Sequence, residues 1–476
     1  MENKISYYNW FKKVMSVFID VFFFAVPFAS LYVFTSTLSG AIRIISFIVL
    51  IAVYLLVIYF FKDKIKLFIE DLLDKVDKLD EKKMLIIIAL CMIVIKVIFT
   101  IFFNYDATKG GDVEIYNEIA EHIYQTGDIH SDAISHLYGI ALHFVLFKML
   151  GLPLFIGMFI VFFIGTIINF FSFKEIIGKN KTFLIIMFYI FMPSSALLTF
   201  CPTHEVFVYM YISLFLFAFN RFLKSEDIKK TILYTLLMIV ATVLTCFVNP
   251  GGYIIYIIMV LAVALSNTKI NKKALIIVAL IISVLCSNGI SKFLNVNEYN
   301  TTINTYTILI HGTNPEALGE QVDGYPLKQM RMYIYDHGED FSQDGFREAA
   351  KNVFINQVVY LFTHPVNLIR LVVHKFYILW SGVHYPIELA RFYNAMDGFV
   401  YYALLGISTL MYLFIFTVGN VYYKKKEDDM MISNYKLELL GVIALTMVCI
   451  VVNKYSLYVT LFAFMIAMYR VEFKNE

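Results

Sequence analysis

In the polar stretch FFNYDATKGGDVEIYNEIAEHIYQTGDIHSDAISHLYG, from Phe102 to Gly139, paired glycines are followed by an acid and an aromatic residue at helical spacing. The stretch follows directly on an apolar run, Met84 to Phe103, that is long enough to cross a bilayer. Gly110 and Gly111 let the backbone turn tightly on leaving the membrane. Asp112, Tyr116 and Ala120 then follow at four-residue intervals, which places an acid, an aromatic ring and a small residue on one face of a short helix. Glu114 falls on another face, and Gly127-Asp128 closes the segment. A carboxylate held this way at a membrane surface could take a proton from a hydroxyl.

A second constellation is FMPSSALLTFCPTHEVFVYMY, Phe191 to Tyr211. Pro193 and Pro202 break or kink helices, and the second opens a new one with Thr203, His204 and Glu205 in its first turn. Glu205 is favoured there by the helix macrodipole, and it can also serve as a second acid in the same cavity as Asp112, with His204 beside it. The third constellation is cationic. Arg370 and His374 are one helical turn apart with Lys375 adjacent, and Lys328 and Arg331 lie upstream. Positive charge on an outer surface opposes the usual topology rule unless an anion such as a phosphate binds it, or the side chains snorkel to headgroups.

These residues need a membrane scaffold. The chain has 476 residues, 60% hydrophobic and 16% charged, with a mean hydropathy of +0.72. Soluble domains are less apolar and more charged, so the composition indicates an integral membrane protein. A net charge of +2 gives no footprint for nucleic acid. The 46 Phe and 33 Tyr suit membrane interfaces. Cys91, Cys201, Cys246, Cys286 and Cys449 lie in or beside apolar runs without metal spacing, so they read as small buried hydrophobes. Glu339, Asp340 and Asp344 do not complete a calcium loop, and no metal site is expected. No cleavable signal peptide is read at Met1 to Lys13.

Apolar runs at about 17–36, 41–61, 84–104, 153–172, 183–200, 204–222, 232–248, 253–266, 274–292, 398–421, 436–452 and 456–470 predict about twelve crossings. The runs 134–150 and 366–382 are shorter or carry charge; as crossings they raise the count to about fourteen, and otherwise they are re-entrant or surface helices. With twelve, the basic loops at Lys12-Lys13, Lys62–Lys83, Lys174–Lys181, Arg221–Lys230, Lys269–Lys273 and Lys424–Lys426 all fall inside, as does Lys474. Both termini are then cytoplasmic, the protein is multi-pass in the cell membrane, and the Asp112 loop is outside. Ile65, Phe68, Leu72, Val76 and Leu79 predict an amphipathic helix on the cytoplasmic face. The long polar segment 294–366 reads as a functional outer loop, with a helix over Phe346–Phe362 ended by His364-Pro365. Asn249-Pro250-Gly251-Gly252 reads as an outer turn. The expected organisation is a two-span hairpin with the amphipathic helix at 1–83, a core at 84–292 with its first outer loop at 105–135, a large outer loop at 293–397 and C-terminal helices at 398–476.

A core span followed by an outer loop with GGDxxxYxxxA and a closing Gly-Asp, then a Pro-Ser turn and an acid heading a later span, resembles the GT-C membrane glycosyltransferases. The nearest likeness is to the protein O-mannosyltransferase and aminoarabinose transferase branch. It covers Met84 to Leu223 as motif and the remainder as architecture. The resemblance implies an all-α, polytopic bundle whose first-loop acid, matched by Asp112, is the catalytic base. Members often carry Asp-Glu there, whereas this chain has Asp112-Val113, which weakens metal binding. Glu205 matches the place of the family's later acid, and Tyr116, His204, Arg370, His374 and Lys375 are carried over as substrate- and phosphate-binding groups.

The implied reaction is inverting transfer of a sugar from a polyprenyl-phosphate donor to an extracytoplasmic glycan, lipid or protein, in contact with membrane lipids and without nucleic acid. No cofactor is expected, with a divalent cation left open. The absence of a Gly-rich phosphate loop argues against a nucleotide-sugar donor. The alternatives are a lipid-linked polysaccharide polymerase or ligase, and a flippase or transporter. Transporters bury ionisable groups at mid-membrane and carry inverted repeats, and no repeat is evident.

Overall fold

A computed structural model gives the architecture and describes residues 2–35, 38–102, 112–129, 135–198, 204–249, 256–257, 260–261, 263, 268–294, 298–320, 322, 324–338, 340–380, 398–422, 430–449 and 457–471. These residues form helices and turns without a strand. The N-terminal half contains α1 (Glu2–Phe34), α2 (Gly40–Asp77), α3 (Glu81–Phe102), α4 (Asp112–Thr126), α5 (Ser135–Met149), α6 (Leu154–Ile177), α7 (Lys179–Phe191), α8 (Pro193–Leu198) and α9 (His204–Lys224). It is followed by α10 (Ile228–Val248), α11 (Ile270–Phe293), α12 (Glu298–Gly312), α13 (Tyr325–His337), α14 (Gln343–Thr363), α15 (Pro365–Leu379), α16 (Gly398–Val421), α17 (Met430–Val448) and α18 (Leu457–Tyr469).

Among the described residues, 7 helices are long and apolar enough to cross a membrane: α2, α6, α9, α10, α11, and parts of α1 (Lys12–Tyr32) and α3 (Glu81–Ile101). Tyr138–Met149 in α5, Gly406–Val421 in α16 and Val459–Tyr469 in α18 are shorter apolar helices. The chain is therefore all-α with the apolar helices of a multi-pass membrane protein. Most of the run 253–266 lies outside the described residues.

Two expectations change. The run 183–200 is not one helix: α7 stops at Met192, whose ψ of 121° leaves the helical region, and Pro193 opens the short α8. Proline has no N–H to donate and disfavours helix at the residue before it. The hydroxyl of Ser195 donates to the Met192 carbonyl at 2.9 Å and so helps close the break. The crossing at 41–61 and the amphipathic segment after it are one continuous helix, α2. Its buried stripe is Ile69, Leu73 and Val76, while the expected Phe68 points outward.

One end of the bundle is tied by charge. Lys174 pairs with Glu81 at 2.6 Å, Asn180 donates to Asp77 at 2.8 Å, and Arg221 pairs with Glu175. Lys272, in the first turn of α11, donates to the carbonyls of Phe222, Leu223 and Ser225 at 3.0, 2.8 and 2.6 Å, closing the C-terminus of α9. Four of the basic loops read as cytoplasmic thus meet at one end. Inside the bundle, α6, α9 and α17 are joined by Asn169 to Ser213, Asn434 to Asn220, and Ser172 with Tyr435, at 2.8, 2.8 and 2.6 Å.

The segment read as a long outer loop contains three helices with their own core. Ile310 of α12, Met330 and Ile334 of α13, and Ala349, Ala350 and Val353 of α14 pack together apart from the main bundle. The expected helix over 346–362 is α14, capped by Ser342, whose side chain accepts from the Gly345 amide.

Lys272→Met removes three charge-assisted hydrogen bonds and leaves the α9 carbonyls without them, so it should lower stability by about 2 kcal/mol. Thermal unfolding of the detergent-purified protein should show this loss, while Lys230→Ala, on the exposed surface of α10, should change little.

Candidate functional site

α4 starts at Asp112 itself; the side chain of Asp112, and Gly110 and Gly111, lie outside the described residues. An acid at the first position of a helix is stabilised by the partial positive charge of the free N–H groups. α4 buries Val113, Tyr116, Ala120 and Ile123 and leaves Glu114 exposed. Tyr116 is a packing residue, 1% exposed, with its ring edge-on to Phe144 of α5 at 6.2 Å. Glu121 pairs with Lys148 of α5 at 2.5 Å, and this ammonium holds the Glu121 carboxyl below the usual carboxylate range.

α5 is the seat for this helix. At Gly139 a Cβ would overlap the backbone carbonyl of Phe247, so only glycine lets α5 approach the end of α10 this closely. His143 Nδ1 donates to the Gly139 carbonyl at 2.6 Å, which leaves Nε2 to accept from the Tyr211 hydroxyl of α9 at 2.5 Å. Its ring packs on Phe207 with centroids 4.4 Å apart. Phe247 lies at the C-terminus of α10, and Phe207 and Tyr211 lie near the N-terminus of α9. α9 and α10 form a hairpin through a short turn, so α5 sits at the end of that hairpin away from the charged ties.

Glu205 is in the first turn of α9, at the same end. It is 0% exposed and pairs with His204 at 3.0 Å. The two helices that begin with Asp112 and with His204-Glu205 therefore both pack on α5. The sequence reading missed His143, Tyr211 and Gly139; the available signal was a histidine four residues after a glycine inside an apolar run.

The cations are distributed differently from the expectation. Arg370 is exposed on α15. His374 faces Glu320 with Nε2 2.6 Å from the carboxylate. Lys375 is fully buried and donates to the carbonyls of Thr446 and Cys449 at 3.2 and 2.7 Å, capping the C-terminus of α17. It passes Gly319, at φ +82°, where a Cβ would overlap its Cε. Lys328 and Arg331 are exposed on α13. Asn434 and Tyr435 fix the start of α17 at the charged end, so its C-terminus, with Lys375, lies at the end that holds α5. Among the described residues no three His, Cys, Asp or Glu side chains cluster as metal ligands.

Tyr211→Phe should leave His143 Nε2 without its donor in the part-buried contact between α5 and α9 and lower stability by about 1 kcal/mol. Tyr124→Phe, on the exposed face of α4, is the control that should unfold as the wild type does. Equal unfolding temperatures for the two variants would show that the His143 contact does not hold α5 to α9.

No protein-family model matches this chain, and no characterised protein or solved structure matches it either, so the chemistry of the site rests on its own residues.

Proposed function

We propose that the chain is a membrane glycosyltransferase of GT-C type that moves a sugar from a polyprenyl-phosphate donor to an extracytoplasmic glycan, lipid or protein. The observation that carries this reading is the common seat: α4, which begins at Asp112, and α9, which begins with the His204-Glu205 pair, both pack on α5 at the end opposite the basic loops. In this reading the basic loops are cytoplasmic by the positive-inside rule, so that end lies outside.

In this reading Asp112 takes the proton of the acceptor hydroxyl while the oxygen attacks the anomeric carbon. The bond from that carbon to the phosphate oxygen breaks on the opposite face, and the configuration inverts. Glu205, buried and paired with His204, is the second acid of the same end. Arg370 and His374 stabilise charge on the departing lipid phosphate, while Lys375 holds α17 in place beneath them.

One observation favours a second class. Glu438, midway along α17, is 1% exposed, and among the described residues neither carboxyl oxygen has a hydrogen-bond partner. A buried ionisable group inside an apolar bundle is a feature that transporters use.

The test is transfer of radiolabelled sugar from polyprenyl-phosphate donors to envelope acceptors by wild type and Asp112→Asn. The reading expects a loss of about 10²- to 10⁴-fold with donor binding retained. Undiminished transfer by the variant removes Asp112 from the chemistry. No transfer by the wild type from any donor shifts the assignment to a polymerase or transporter.

A further inference from the structure

The first half of α14 exposes polar side chains, Gln343, Asp344, Arg347, Glu348 and Lys351. The second half differs. Ile355, Val359 and Phe362, at i, i+4 and i+7, are exposed on the side opposite the buried Ala350, Val353 and Leu361. The same happens on α15, where Leu371, Lys375 and Leu379 form the buried stripe and Val366, Ile369 and Val373 form an exposed apolar stripe opposite it. Phe362 is 73% exposed, Val366 76% and Ile369 62%.

A helix with apolar residues on both opposing faces is not stable with one face in water; it belongs in a core or in lipid. The joint between the two helices is held by its own bonds. His364 Nδ1 donates to the Tyr360 carbonyl at 2.9 Å, and the Asn367 amide donates to the Tyr360 hydroxyl at 3.0 Å. The apolar stripe is therefore presented by a fixed elbow.

What covers the stripe follows from where α15 leads. Its C-terminal half packs on α1, with Phe376 and Trp380 against Phe22 at 6.1 and 4.6 Å and Tyr377 stacked on Tyr32 at 4.5 Å. The Lys12–Tyr32 part of α1 is a candidate membrane span, and its Val17, Phe18, Val21 and Phe24 are exposed. The elbow thus packs on a candidate membrane span that exposes apolar side chains of its own.

We propose that the α14–α15 elbow is seated in the bilayer, with Val359, Phe362, Val366 and Ile369 among the acyl chains and the water–lipid boundary crossing α14 between Lys351 and Ile355. Arg347, Lys351 and Arg370 then lie at the level of lipid phosphates, where long basic side chains are favoured. The elbow anchors the α12–α14 unit to the membrane, so that a lipid-borne substrate can reach the bundle beside it. The seating depends on the membrane assignment but not on the glycosyltransferase reading.

The experiment uses the full chain in phospholipid bilayers. The five native cysteines are replaced, single cysteines are introduced by Glu348→Cys, Lys351→Cys, Val359→Cys, Phe362→Cys, Val366→Cys and Ile369→Cys, and each carries a nitroxide label. All six positions are exposed, so the labels are tolerated by the fold. At 359, 362, 366 and 369 relaxation by dissolved oxygen should exceed relaxation by a water-soluble nickel chelate, and at 348 and 351 the order should reverse. Free access of the nickel chelate to 359–369 would overturn the seating. Exclusion of both reagents, with dipolar broadening between copies, would also overturn it and assign the stripe to a second copy of the chain.

Discussion

The seat of α5 is the contact on which the site depends. In an apolar bundle a polar side chain must find its partner inside the protein, and His143 does so twice, donating to Gly139 of its own helix and accepting from Tyr211 of α9. The bare face of Gly139 lets α5 close onto the α10 carbonyl at Phe247. With α5 fixed, Phe144 receives Tyr116 and Lys148 receives Glu121, and α4 is held against the bundle. The helix that Asp112 heads is placed by this chain of contacts.

The same requirement sets the direction of the whole bundle. Charged groups that satisfy helix ends gather at one end, where Lys272 closes α9 and Lys174 and Arg221 find Glu81 and Glu175. At the opposite end Lys375 does for α17 what Lys272 does for α9. That buried ammonium ties α15 to α17, which turns inward a residue read from sequence as a phosphate ligand.

The all-α class and the apolar helices were legible because hydrophobic length decides them: α3, α6, α9, α10, α11 and α16 lie close to the apolar runs, although among the described residues 7 helices, α16 not among them, have the length and apolarity of a span. The acid heading α4 and the glutamate heading α9 were also legible, from turn residues and helix-start chemistry. Other features were not. The break at Met192 required weighing one proline against an apolar run that looked continuous. The α12–α14 core is built from scattered small and medium side chains that show no long periodic face. The direction of Lys375 and the role of His143 depend on residues far away in sequence, Thr446, Cys449 and Tyr211, and no local pattern reveals such partners.

The proposed function requires that the beginning of α4 and the charged ties lie on opposite sides of one membrane, with the site outside. The most direct measurement is labelling of intact cells with a membrane-impermeant maleimide, using Glu114→Cys on the exposed face of α4 and Ser225→Cys in the α9–α10 turn, each in a chain without its native cysteines. Glu114→Cys should be labelled in intact cells, and Ser225→Cys only after permeabilisation. Labelling of both from outside, or of Ser225→Cys alone, would contradict this arrangement.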